Sequence, residues 1–453
     1  MAAYHDDAQE TVNRVRQVLE TFGREPKRST AAREAPLGQA EQHAAFSELP
    51  EYEIFKLGRA ASDITGISNP FHRLHHGRAR ETTTIDGRTV ANFSSYDYLG
   101  LNGHPVVSAA AKVAIDRFGT SVSASRLTAG EREIHRELEV SLARLHGSED
   151  ALAFVSGHAT NVSVIGTLLG SEDLILCDSL IHNSVTEGAK LAGAKRITWP
   201  HGDLESLERA LRLNRARHRR ALVVTEGLYS MDGDMPDLAA LIKLKRRYNA
   251  WLMVDEAHSL GVLGATGRGI AEEQNVPPTD VDIWMGTLSK SLAATGGYIA
   301  GSKALIEILK YTTPGFVYSV GLSPPVAAAA HAAIDVMRAE PERLHRLRDN
   351  GQYFLSGAKA RDLDTGLSIG AAIVPVIIGN SAQAIILADR LLARGFNIVP
   401  AIFPGVAENQ ARLRIFITSQ HSAGQIDSVL DAIAEELKIV RSGPSFVSMV
   451  AKG

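Results

Sequence analysis

A chain of 453 residues with 45% hydrophobic and 22% charged residues is long enough for a large buried core in two or three packed subdomains. Its net charge of −3 gives no reason to invoke nucleic acid, and no apolar run approaches the roughly 20 residues of a membrane span. The single cysteine, Cys177, excludes a disulfide within the chain and suits the cytoplasm, and the first residues lack the basic and apolar regions of a signal peptide.

In chain order, Val12, Val15, Val18 and Leu19 stand at helical spacing and predict one short amphipathic helix, followed by a polar linker near residues 27–36. His72, His75 and His76 cluster without a nearby Cys or acid, so no metal site is read there. Residues 82–91 read as a hairpin turning at Asp86-Gly87. Gly119 to Arg126 is a small, polar loop. A helix is expected over 130–145, with Ile134, Leu138 and Leu142 on one face. Ala153-Phe154-Val155-Ser156-Gly157-His158 is a strand breaking into a glycine-bearing turn that opens a helix through Asn161, a geometry suited to phosphate. Apolar strands follow at 174–177, 221–225, 251–254 and 281–286, and the spacing of the last three suggests βαβ units. Pro236 is placed at the start of a helix and 327–339 is read as a long helix. The C-terminal part reads as α+β, with strands at 373–378, 396–399 and 413–417 and a helix over 425–440.

Three strand ends carry chemistry. Lys290 follows the 281–286 strand, where desolvation disfavours the ammonium and makes the amine a nucleophile for carbonyls. Asp255 ends the 251–254 run, with His258 three residues on, and Glu226 ends the 221–225 run before a turn-rich loop. In parallel sheets such strand ends line ligand sites. A lysine and an acid are what pyridoxal phosphate requires, one for its aldehyde and one for its ring nitrogen. Taken singly, Asp255 reads better as a helix cap and Lys290 as a surface lysine; the three strand ends together change that.

The set Glu226-Gly227-Leu228-Tyr229-Ser230-Met231-Asp232-Gly233-Asp234, Val254-Asp255-Glu256-Ala257-His258 and Gly286-Thr287-Leu288-Ser289-Lys290 resembles the α-oxoamine synthases. These are fold-type-I pyridoxal 5′-phosphate enzymes that condense an amino acid with an acyl thioester. The resemblance runs from about residue 69 to 439. It implies an α/β fold with an N-terminal extension (1–45), an N-terminal segment (46–100), a large cofactor-binding domain (101–335) and a small α+β domain (336–453).

It also implies roles. Lys290 holds the cofactor and Asp255 faces its pyridine nitrogen; His182 stacks on the ring and His258 bonds the phenolic oxygen, with Ser230 nearby. Gly157, His158, Asn161 and Thr287 surround the phosphate, and Ser319 reaches the phosphate of a partner subunit in a homodimer with shared sites. Arg414 takes the substrate carboxylate, since its planar fork pairs with carboxylates bidentately. Tyr96 stands where relatives often have Asn, as it does in serine palmitoyltransferases and in synthase domains of polyketide assembly lines, which favours L-serine and a long acyl chain. Ile402-Phe403-Pro404 stands where serine palmitoyltransferases carry a mobile arginine, which points instead to L-alanine, as in 8-amino-7-oxononanoate synthases, or to glycine. The thioester is acyl-CoA or acyl carrier protein, and transamination on the same fold is the remaining alternative.

Overall fold

A computed structural model describes residues 45–443, so the helix expected within 1–45 lies outside the described residues. A helix over Pro50–Thr65 leads to the hairpin β1 (Thr82–Ile85) and β2 (Arg88–Asn92). Asp86 and Gly87 have φ of 49° and 74°, the left-handed pair that a two-residue hairpin turn requires.

The centre is a seven-stranded sheet. Its strands are β3 (Asp150–Phe154), β4 (Leu174–Asp178), β5 (Lys195–Trp199), β6 (Ala221–Glu226), β7 (Trp251–Asp255), β8 (Ile283–Thr287) and β9 (Gly297–Gly301). They lie in the order β3-β9-β8-β7-β6-β4-β5. From β8 to β5 neighbouring strands are parallel, whereas β9 runs antiparallel to both β3 and β8. The link between β8 and β9 carries no crossover helix, so a parallel return is not available to it.

Alternate strand residues enter two separate cores. Leu174, Leu176, Val223, Leu252, Val254 and Trp284 belong to one, and Ile175, Cys177, Leu222, Val224, Met253 and Ile283 to the other. Burial on both faces explains why these strands read as continuous apolar runs rather than alternating ones. Register sets Glu226 beside Asp255, and Asp255 beside Met285. The acids therefore emerge together at the carboxyl edge.

The C-terminal part holds β10 (Ile373–Gly379), β11 (Phe396–Asn397), β12 (Pro400–Ala401) and β13 (Ala411–Phe416). β13 pairs with β10 and β12; the helices Ser381–Ala393 and Glu342–Lys359 pack on this sheet, and the helix Ala423–Ser442 packs against both of them. The strand expected at 396–399 splits. β11 pairs in parallel with β2, and Asn397 Nδ2 donates to Asn92 Oδ1 at 2.9 Å, so this segment stitches the N-terminal hairpin to the small sheet. A short apolar run does not encode its partner, and the tertiary pairing decided it. Pro236 does not start its helix: Asp237 caps Leu238–Arg247 by accepting from Ala240 N at 2.9 Å. The helix expected over 130–145 begins at Glu133, and the one from 327 begins at Pro324. Among the described residues no helix is long and apolar enough to cross a membrane.

Candidate active site

Asp255 ends β7 and is buried. Its Oδ2 accepts from Asn161 Nδ2 at 2.9 Å and its Oδ1 from the Ala257 amide at 3.0 Å. Asn161 also donates to Ser184 Oγ at 2.9 Å, so it joins the helix Gly157–Leu168 directly to the helix Asn183–Ala192 while holding the acid. Beside Asp255, Glu226 ends β6 fully buried. Burial first, and the Asp255 charge second, push its carboxyl up to about 8. Its two oxygens accept from the His182 amide at 2.7 Å and the Ser230 amide at 3.1 Å. One carboxyl thus ties together the two loops that carry His182 and Ser230.

Lys290 sits three residues beyond β8, half-buried, with Nζ 5.8 Å from the centre of the Tyr96 ring. Desolvation lowers its pKa to about 8, with Asp255 and Glu226 opposing and Arg414 assisting. About a tenth of the amine is therefore neutral at pH 7, far more than for an ordinary lysine, as a nucleophile or base requires.

His182 caps the helix Asn183–Ala192, and its Nδ1 lies 2.7 Å from Ser184 Oγ. Its ring is exposed and stands edge-on to His158 at 6.1 Å. Desolvation lowers its pKa against the opposing pull of Asp255. His258 is buried, with Nδ1 2.7 Å from the Tyr98 hydroxyl and its ring parallel to Phe416 at 6.5 Å.

Arg414, on β13, donates through Nη2 to the Tyr96 hydroxyl at 3.0 Å, and its Nη1 lies 3.6 Å from Met231 Sδ. Among the described residues it pairs with no carboxylate. Its neighbour Arg412 is buried and bonded to Asp232 at 2.7 Å. Two residues apart on β13, the two arginines share one face of the strand. Arg412 locks the loop 227–234, and Arg414 is left to meet a ligand.

Two cavities, of about 780 and 570 Å³, share Ser94, Tyr96 and Val399 as walls. The first is lined by Lys290 and Ser289, the second by Arg414, Met231, Ile402, Phe403 and Phe416. Tyr96 stands between them.

The residues present fit pyridoxal phosphate. The twelve-residue helix Gly157–Leu168 opens at this edge, after a β3 that pairs with the start of β9. A Cβ on Gly157 would stand 3.0 Å from Thr287 Oγ1, so glycine keeps the helix N-terminus open against the end of β8. Asn161 Oδ1 is buried beside Asp255 with no partner among the described residues. Thr287 Oγ1 lies 2.7 Å from Ser289 Oγ and donates to the Gly296 carbonyl at 2.9 Å, so a phosphate contact from Thr287 has to compete with that bond. Ser319 is not brought into this cluster: among the described residues its hydroxyl bonds only the Val320 carbonyl, at 3.2 Å.

Chain order gave Glu226 a signal but no role, since it ends an apolar run as Asp255 does. Tyr98, Ser184 and Met231 had none.

A family model described as aminotransferase class I and II matches residues 88–433. The chain belongs to this family. It is 42% identical over 355 residues to a putative 8-amino-7-oxononanoate synthase of Desulforudis audaxviator, covering 78% of this chain and 91% of that one. It is 39% identical over 402 residues to 4-hydroxy-2,2′-bipyrrole-5-methanol synthase PigH of a Serratia species, covering 87% of this chain and 61% of the relative. Among solved structures, the serine palmitoyltransferase of Sphingomonas wittichii superposes with a TM-score of 0.83 at 29% identity, covering 88% of this chain and all of that one. Within the family the chain is an α-oxoamine synthase with the fold-type-I architecture, a pyridoxal phosphate-dependent acyltransferase.

Proposed function

We propose that this α-oxoamine synthase joins L-alanine to an acyl thioester, with release of carbon dioxide and free thiol, as an 8-amino-7-oxononanoate synthase does. The supporting observation is the sequence likeness: relatives bearing that name are 37 to 42% identical across nine-tenths of their length. This displaces the L-serine preference drawn from Tyr96. L-Serine remains the second reading, supported by Tyr96 and by the superposition on serine palmitoyltransferase.

When bound, pyridoxal phosphate supplies an electron sink for negative charge at the α-carbon of the amino acid. In this reading Lys290 carries the cofactor, and its amine, once free, takes the α-proton; a pKa near 8 suits that task. Asp255, held by Asn161 and Ala257, faces the pyridine nitrogen and keeps its proton in place by charge. His182 covers the ring face and His258 donates to the phenolic oxygen. The open N-terminus at Gly157 and His158, with Thr287, receives the phosphate, and Asn161 and Ser230 complete the surround. Arg414 exchanges the Tyr96 hydroxyl for the substrate carboxylate, a charge-assisted and stronger bond. The apolar cavity behind Tyr96 suits an acyl chain, delivered by coenzyme A or acyl carrier protein.

A homodimer belongs to the same reading. Tyr318 and Val320 are 86% and 51% exposed on either side of Ser319, a surface suited to a second copy whose phosphate Ser319 meets. The buried, lone Cys177 supports a reducing, cytoplasmic setting.

The test is to mix holoenzyme with L-alanine, L-serine or glycine and acyl thioesters of several lengths, and to record cofactor absorbance, carbon dioxide and free thiol. Turnover with L-alanine is expected. Turnover with L-serine alone replaces the amino acid assignment, and amino transfer without carbon dioxide replaces the reaction. A catalytically competent monomer in sedimentation removes the dimer.

A further inference from the structure

We infer that Tyr98 is a positioning residue that fixes His258 in the tautomer carrying its proton on Nε2. The inference rests on the reading above only for what that proton then does.

The Tyr98 hydroxyl lies 2.7 Å from His258 Nδ1, and among the described residues it has no other partner. The Tyr98 ring is wholly buried, and His258 is nearly so. Burial lowers the His258 pKa well below 6.5, assisted by Lys290 and Arg414, so the ring is neutral and has one N–H. Burial also lifts the Tyr98 phenol well above 10, so the hydroxyl keeps its hydrogen.

Two arrangements remain. If Nδ1–H donated to the phenol oxygen, the phenolic hydrogen would be buried without an acceptor, a cost that native interiors avoid. If the phenol donates to Nδ1, its hydrogen is satisfied and the ring proton must sit on Nε2. The surroundings hold this geometry. The Tyr98 carbonyl accepts from Ser419 N at 2.8 Å, its amide donates to Tyr96 O at 2.7 Å, and Phe416 lies parallel to the His258 ring.

His258 Nε2 has no acceptor among the described residues, so it is the ring's available donor. A donor is what the cofactor's phenolic oxygen needs; with the proton on Nδ1, Nε2 would present a lone pair to a negative oxygen. Tyr98 thereby selects the form of His258 that supports the cofactor. Tyr96, two residues earlier in the same segment, contacts Arg414. One stretch of chain thus tunes both ends of the site.

The test uses apoprotein labelled with ¹⁵N-histidine, with long-range ¹⁵N–¹H correlations and His258 assigned by loss of its signals in His258→Gln. A single pattern with Nε2 protonated and Nδ1 bare is expected in the wild type. Tyr98→Phe should replace it with a mixture of tautomers, and in the holoenzyme should lower kcat about tenfold while KM for the amino acid stays within about twofold. A wild-type His258 protonated on Nδ1 overturns the inference whether or not the variant folds. So does an unchanged Nε2-protonated pattern in Tyr98→Phe. Neither result touches the condensation reaction, and failure of that reaction would leave the tautomer measurement standing.

Discussion

His201→Gln should destabilise the protein by an amount that shrinks as pH rises. His201 lies beyond β5 and bridges two carboxylates: Nδ1 to Asp178 at 2.9 Å and Nε2 to Asp234 at 2.8 Å. Desolvation lowers its pKa, but the two acids outweigh it and raise the pKa to about 10. Relative to an ordinary value of 6.5, that corresponds to at most about 5 kcal/mol. The side chain remains 15% exposed, as does that of Asp234, and screening reduces the effect to about 2–3 kcal/mol. Because the folded pKa exceeds the unfolded one, the contribution is complete below pH 6.5 and is lost as pH rises through about 10. Glutamine supplies a single donor group where the imidazolium supplies two. Asp234 Oδ1 already has no partner among the described residues, so Asp234 is the acid left exposed to the loss. The assay is denaturant unfolding of wild type and variant at pH 6 and at pH 10. A difference of equal size at both, or none at pH 6, refutes the argument. Since Asp234 closes the loop that brings Met231 against Arg414, KM for the amino acid should rise more than kcat falls.

Lys290→Ala should abolish turnover and the absorbance of covalently held cofactor while the circular dichroism stays native; turnover near wild type would end the assignment. In wild-type apoprotein the rate of cofactor uptake should rise with pH through about 8, where the Lys290 amine loses its proton, rather than near 10.5. Asp255→Asn should keep the covalent cofactor but slow exchange of the substrate α-proton by at least about tenfold, because an amide does not hold the pyridinium proton by charge; an unchanged exchange rate counts against that role. Tyr96→Asn removes the hydroxyl that occupies Arg414 and part of the wall between the two cavities, so relative kcat/KM among L-alanine, L-serine and glycine should shift. Unaltered ratios would show that Tyr96 does not select the substrate.

The strands, the hairpin turn and the reactive residues at strand ends were legible in the sequence, because each depends on local chemistry. Continuous apolar runs mark strands covered on both faces, Asp86-Gly87 supplies two positive φ angles, and an acid or lysine closing an apolar run is conspicuous. What local pattern does not carry is partnership between distant segments. Only the tertiary structure joined residue 396 to the N-terminal hairpin, set Glu226 beside Asp255, gave Arg412 to Asp232 while leaving Arg414 open, and placed Tyr98 against His258 across 160 residues of chain. A hydrogen bond depends on distance in space, and side chains with several acceptors within reach choose among them only when packing has excluded the rest. The chemistry is therefore written in the order of residues, and the pairing that tunes it arises from the packing of the sheets and loops around them.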